Sequence, residues 1–96
     1  MTYSYVGDIN GLRAVADVSF ENLGEYVLMS GVIHSGSSAY TFTADIYGDA
    51  GYGNMVSQTE YSRFHVRIDL TQMGFAVTPN PENFDEPKQT YYFTRQ

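Results

Sequence analysis

The sequence predicts an all-β domain, a small antiparallel meander of six or seven strands in a closed or partly open barrel, with a β-sandwich as the alternative. Three observations carry this. Apolar and polar residues alternate at a period of two through most of the chain, as in the run YSRFHVRIDL at residues 61–70. Nine Tyr and six Phe in 96 residues suit half-buried pleated surfaces. Turn-forming residues separate the alternating runs, and no window combines an i, i+3, i+4 apolar pattern with a cap. The most permissive helical stretch is residues 55–61, one or two turns at most. Residues 1–96 read as a single domain, without repeat, linker or low-complexity tract. The short connections favour a meandering barrel.

The first hairpin joins residues 3–9 to residues 12–20 through Asn10-Gly11, a pair suited to the positive φ angles of a type I′ turn. A two-residue loop pairs Ile9 with Leu12, Asp8 with Arg13 and Val6 with Val15. Leu12, Ala14, Ala16, Val18 and Phe20 then share the inner face. A turn containing Asn22 and Gly24 leads to residue 26, and pairing Phe20 with Val27 keeps the inner faces aligned.

The second hairpin spans residues 26–47. YVLMSGVIH, the polar loop SGSS and AYTFTADIY place Gly31 opposite Phe42 and Met29 opposite Ala44. Val27, Met29 and Ile33 thereby join Phe42, Ala44 and Ile46 on one face, and a slip of one residue would turn one set toward water. The small Gly31 leaves room for the Phe42 ring.

Residues 48–60 carry three glycines among GDAGYGNMVSQTE and read as a long loop. In residues 61–70, Phe64, Val66, Ile68 and Leu70 face inward, while Arg63, His65, Arg67 and Asp69 face out. A turn at residues 71–74 returns the chain through Phe75, Ala76 and Val77. Residues 79–89 hold all three prolines, which excludes a central strand. Residues 90–94 form the last strand.

The net charge of −6 disfavours direct binding to nucleic acid or to an anionic membrane, and favours a basic partner. With no cysteine, there is neither a disulfide framework nor a thiolate metal site. The opening MTYSYVGD has no basic or apolar leader region, and no apolar run approaches the roughly 20 residues of a membrane helix. A cytoplasmic protein with no cofactor is the expectation.

The chain contains no catalytic motif. His65 would need an orienting carboxylate, and Asp69 lies roughly 13 Å along the same strand. His34 borders a hairpin loop and is read as a surface residue. Asp45, Asp49 and Asn54 lack the spacing of a calcium loop, and GDAGYGN lacks the lysine of a phosphate loop. The five basic residues are scattered, whereas base stacking needs a cationic groove beside its aromatic rings. No catalytic residue and no metal ligand is assigned.

In a seven-strand meander, the turns at residues 10–11, 35–38 and 71–74 fall at one end. The longer connections fall at the other, and they carry Glu21, Glu25, Asp49, Glu60, Glu82, Asp85 and Glu86. Long loops on a rigid scaffold are where function concentrates. The expected function is therefore that of a non-enzymatic protein-binding module whose acidic end engages a basic partner, such as an immunity protein or an inhibitor that mimics nucleic acid. Charge reversal at Glu82, Asp85 and Glu86 is expected to slow association. The alternative is a small barrel that takes an apolar or sugar-like ligand at its mouth, with tyrosines as walls. On the outer face, Val6, Val15 and Val32 are expected to line up, with Leu28, Tyr26 and Tyr47 extending the row, as an interface for a homodimer or a partner.

Overall fold

A computed structural model describes residues 2–83 and 89–96. Eight strands follow one another in chain order: β1 (Thr2–Ile9), β2 (Leu12–Asn22), β3 (Val27–Ser35), β4 (Ser38–Tyr47), β5 (Ala50–Ser57), β6 (Arg63–Leu70), β7 (Gly74–Pro79) and β8 (Tyr91–Arg95). Each pairs antiparallel with its neighbour, and β8 returns to β1, so the sheet closes into a barrel. Closure gives every strand a paired neighbour on each side, which limits the free edges through which small sheet proteins aggregate. Among the described residues there is no helix, and so none long and apolar enough to cross a membrane.

The hairpins form where the turn chemistry demands them. Asn10 and Gly11 both take positive φ, 52° and 88°, and the predicted partners Ile9–Leu12, Asp8–Arg13 and Val6–Val15 lie opposite one another. Asp8 does not join Arg13 in an ion pair; its carboxylate accepts a 2.8 Å hydrogen bond from the Gly11 N–H and secures the turn. The β3–β4 hairpin also has the expected register, with His34 opposite Ala39, Gly31 opposite Phe42 and Met29 opposite Ala44.

Between β2 and β3 the register differs by two residues. Phe20 pairs with Met29, not Val27, because β2 runs on to Asn22, which pairs with Val27. The turn closes tightly, with Leu23 N–H donating to Tyr26 C=O and Gly24 N–H to the Asn22 side chain. A shift of two residues keeps every side chain on its face and changes only its neighbours.

The larger difference is β5, which occupies residues expected to be a loop and includes Met55, Val56 and Ser57 from the stretch most permissive of helix. Its inward positions are Gly51, Gly53, Met55 and Ser57, opposite Ile46, Ala44, Phe42 and Tyr40 of β4. The inner face of this strand is thus half glycine, which hides the apolar alternation. The glycines are there because β4 and β5 approach too closely for a side chain. A Cβ on Gly51 would lie 1.9 Å from the Asp45 carbonyl oxygen, and one on Gly53 1.8 Å from that of Thr43. Glycine at such a point lets a strand bend enough for a small barrel to close.

The interior is filled from all eight strands. Phe75 is its centre: it stacks on Phe93 at 4.9 Å, meets the Tyr5 ring edge-on at 5.0 Å and lies 6.3 Å from Phe42. Ala14, Ala16, Val18, Met29, Ile33, Ala44, Ile46, Val66 and Ile68 are buried as expected. Phe20, Val27, Phe64 and Leu70 pack against this core from half-buried positions. Leu12 is the exception. At the first position of β2 it projects past the barrel end and is 57% exposed. Leu12→Ser is accordingly expected to change stability by no more than about 0.5 kcal/mol, the range of ordinary surface positions. A urea midpoint lowered by the equivalent of 2 kcal/mol would show that Leu12 seals the barrel end.

Candidate functional site

The added strand decides where the acidic loops lie. With β5 in place, the connections at residues 23–26, 48–49 and 71–73 fall at one end of the barrel, the Gly48 rim. Those at 10–11, 36–37, 58–62 and after Pro79 fall at the other, the Asn10 rim. The acids expected at one end are therefore divided. Glu21, Glu25 and Asp49 belong to the Gly48 rim, and Glu60 and Glu82 to the Asn10 rim. Asp85 and Glu86 lie outside the described residues. The physical reason is parity: one additional strand reverses the end at which every later loop emerges. The 71–73 turn moves for the same reason to the end opposite the Asn10-Gly11 turn.

At the Gly48 rim, the strand registers assemble a patch that extends down the outer wall. Glu21 lies opposite Leu28, Leu28 opposite Asp45, Asp45 opposite Tyr52, and Tyr52 opposite Arg67. The Tyr26 and Tyr47 rings stack beside this row, with centroids 5.3 Å apart. Tyr47 and Tyr52 are each 59% exposed. Among the described residues, the carboxylates of Glu21, Glu25, Asp45 and Asp49 make no side-chain hydrogen bond or ion pair. The base on this row is engaged. Arg67 forks onto Asp69 through Nε and Nη2 at 3.0–3.2 Å and donates through Nη1 to the Tyr52 hydroxyl at 3.0 Å. The Asp69 hydrogen bonds, then Tyr52, hold the Arg67 proton more tightly than in a free guanidinium. Arg95 stands 3.9 Å over the Tyr3 ring.

Of the proposed interface residues, Val6, Val15, Leu28, Val32 and Tyr26 are half-buried on the outer wall, and Tyr47 is exposed. They do not form one continuous row. Val6 pairs with Val15 as expected, but Val15 lies opposite His34, and Val32 sits between Asp17 and Thr41. The two-residue register difference between β2 and β3 separates the two valine groups. Leu28, Tyr26 and Tyr47 remain together at the Gly48 rim.

On the same wall, His65 Nδ1 lies 2.6 Å from Glu82 Oε1, with both side chains exposed. No local pattern joins them, because they are 17 residues apart and meet only through the chain's return after Pro79. Asp69, the carboxylate weighed for His65 from the sequence, is taken by Arg67. Among the described residues, no cluster of three or more His, Cys, Asp or Glu is placed to hold a metal ion.

The Asn10 rim surrounds the open mouth of the barrel, where a cavity of about 230 Å³ lies between the strands. Fold and surface together define a small, closed, all-antiparallel meander barrel whose Gly48 rim carries Glu21, Glu25 and Asp49 beside the Tyr26–Tyr47 stack. No family model, curated protein or solved structure matches the chain.

Proposed function

We propose that the chain is a non-enzymatic protein-binding module, cytoplasmic in setting, whose Gly48 rim engages a basic partner. An immunity protein against a nuclease toxin, or an inhibitor that mimics nucleic acid, would work in this way. One observation carries the reading: Glu21, Glu25, Asp45 and Asp49 share the rim of the Tyr26–Tyr47 stack without internal partners, while Arg67, the base on that row, is already engaged by Asp69. Carboxylates left unpaired on a rigid sheet attract a cationic surface over a distance and set its orientation. Exposed tyrosines add large contact area at small entropic cost, and their ring faces accept lysine or arginine. A second copy of this chain is the competing occupant, through the same rim or the valine groups. A charge of −6 on each copy opposes that pairing.

The test is Glu21→Lys, Glu25→Lys and Asp45→Lys in one chain. All three side chains are exposed, so the fold is expected to be retained. A basic protein captured from the source cell by the wild type is expected to associate at least tenfold more slowly with the triple variant at low salt. The difference is expected to shrink as salt rises. Equal association rates, or a wild type that sediments as a dimer and captures no basic protein, would sink the reading.

A further inference from the structure

We infer that the mouth of the barrel at the Asn10 rim is a binding site for one small, neutral, aromatic molecule. The inference is independent of the protein-binding reading, which concerns the opposite rim. The rings of Phe75, Phe93, Tyr5 and Phe42 pack the middle of the barrel. Above them, toward the Asn10 rim, Ile33, Met55 and Val77 close the interior, each less than 5% exposed, and form the floor of a depression edged by half-buried Ile9, Phe64 and Tyr91. The space above that floor is the 230 Å³ cavity, with Phe93 among the residues that line it. An eight-stranded barrel is just wide enough either to be filled by its own side chains or to hold one small ligand. Here the interior is filled, and the space lies above it at the mouth.

The lining states the chemistry. Ile9, Ile33, Met55, Phe64 and Val77 supply apolar walls. Half-buried Ile9 and Phe64 stand at the opening with apolar surface still in contact with water. No charged side chain lines the cavity among the described residues. Burying an ionic group against this lining would cost its hydration, which favours a neutral ligand as the buried part. Asn10, Tyr40, Asn80 and Tyr91 bring polar groups to the lining, which suit a ligand carrying a hydroxyl on its ring. A cavity of about 150 Å³ suffices for benzene. The larger space here therefore suits a substituted ring or two fused rings, roughly ten non-hydrogen atoms. Met55 lends the wall a deformable, polarisable side chain that adapts to a flat ring.

Orientation comes from the rim. Asn10 Oδ1 accepts a 3.1 Å hydrogen bond from Gln89 Nε2 and lies 3.5 Å from the Tyr91 hydroxyl. The second contact is at the outer limit of a hydrogen bond. A ligand hydroxyl placed between Tyr91 and Asn10 would make two shorter bonds in its place. The ring then points inward and the hydroxyl outward.

The probe is 2-naphthol, titrated into the full chain labelled with ¹⁵N. Saturable one-to-one binding is expected, with amide shifts concentrated at Ile9, Asn10, Ile33, Met55 and Tyr91 and absent at Tyr47 and Tyr52. Ile9→Trp, which fills the opening from a half-buried position, is expected to weaken binding at least tenfold while the far-ultraviolet circular dichroism is unchanged. Tyr91→Phe keeps the ring and removes the hydroxyl. It is expected to weaken 2-naphthol at least threefold and leave naphthalene unaffected, so the site stays testable even if the tryptophan variant does not fold. Absence of saturation, shifts centred on the outer wall, or glucose binding as tightly as 2-naphthol would each overturn the assignment.

Discussion

Phe75→Ala is expected to cost about 3–5 kcal/mol, the usual range for removing a fully buried aromatic ring. The side chain is 1% exposed and touches aromatic rings from three other strands, so its loss leaves a void that β1, β4 and β8 all border. The contribution exceeds simple burial, since offset and edge-on ring pairs add about 0.5–1.5 kcal/mol beyond the area they remove from water. Domains of this size hold together by only about 5–15 kcal/mol in total. The variant is therefore expected to melt more than about 12 °C below the wild type. Phe42→Ala, at a neighbouring position, belongs in the same range. Phe64→Ala should cost about half as much, because that ring is half-buried at the mouth and its space opens to water. Urea unfolding of the three variants checks the order. A loss below about 1 kcal/mol at Phe75 would mean that the barrel is not packed around that ring.

Gly53→Ala is expected to be at least as damaging although it adds a single methyl group. The new Cβ would lie 1.8 Å from the Thr43 carbonyl oxygen and 2.6 Å from the Ala44 Cα. Both are backbone atoms, so no side-chain rotation relieves the clash. β4 and β5 must move apart, and the hydrogen bonds of their ladder are lost with them. A barrel opened at one seam exposes two strand edges, which invites intermolecular pairing. The expected loss is above about 4 kcal/mol, a size that single substitutions reach only through a specific mechanism such as this. Hydrogen exchange provides the local readout, with protection lost first at Thr43 and Asn54, which face each other across the seam. Gly48→Ala is the comparison: its φ is +69°, but nothing lies within 4 Å of the added atom. Its cost is confined to backbone strain, about 1–2 kcal/mol. If Gly53→Ala were as stable as the wild type, the close approach of β4 and β5 would be refuted.

What the sequence by itself determined is local. Asn10-Gly11 dictates a turn with positive φ at both positions, and a two-residue turn leaves one pairing between Ile9 and Leu12. The period of two in residues 27–35 and 38–47 assigns each side chain a face, because strand geometry has only two. The all-β class and most of the buried set follow from these rules. What only the tertiary structure decided is everything that depends on closure. β5 carries glycine at two of its inward positions, so the usual mark of a strand is missing there. The requirement for glycine comes from the nearness of Thr43 and Asp45 on a neighbouring strand, not from residues 50–57 themselves. That strand then reverses the exit of every later loop, separating Glu60 and Glu82 from Glu21, Glu25 and Asp49. Similarly, His65 and Glu82 meet only because β7 ends at Pro79 and returns the chain across β6. Local patterns specify which face a residue takes, since each strand sets that alone. They do not specify which rim a loop reaches, since that is the cumulative count of all strands before it.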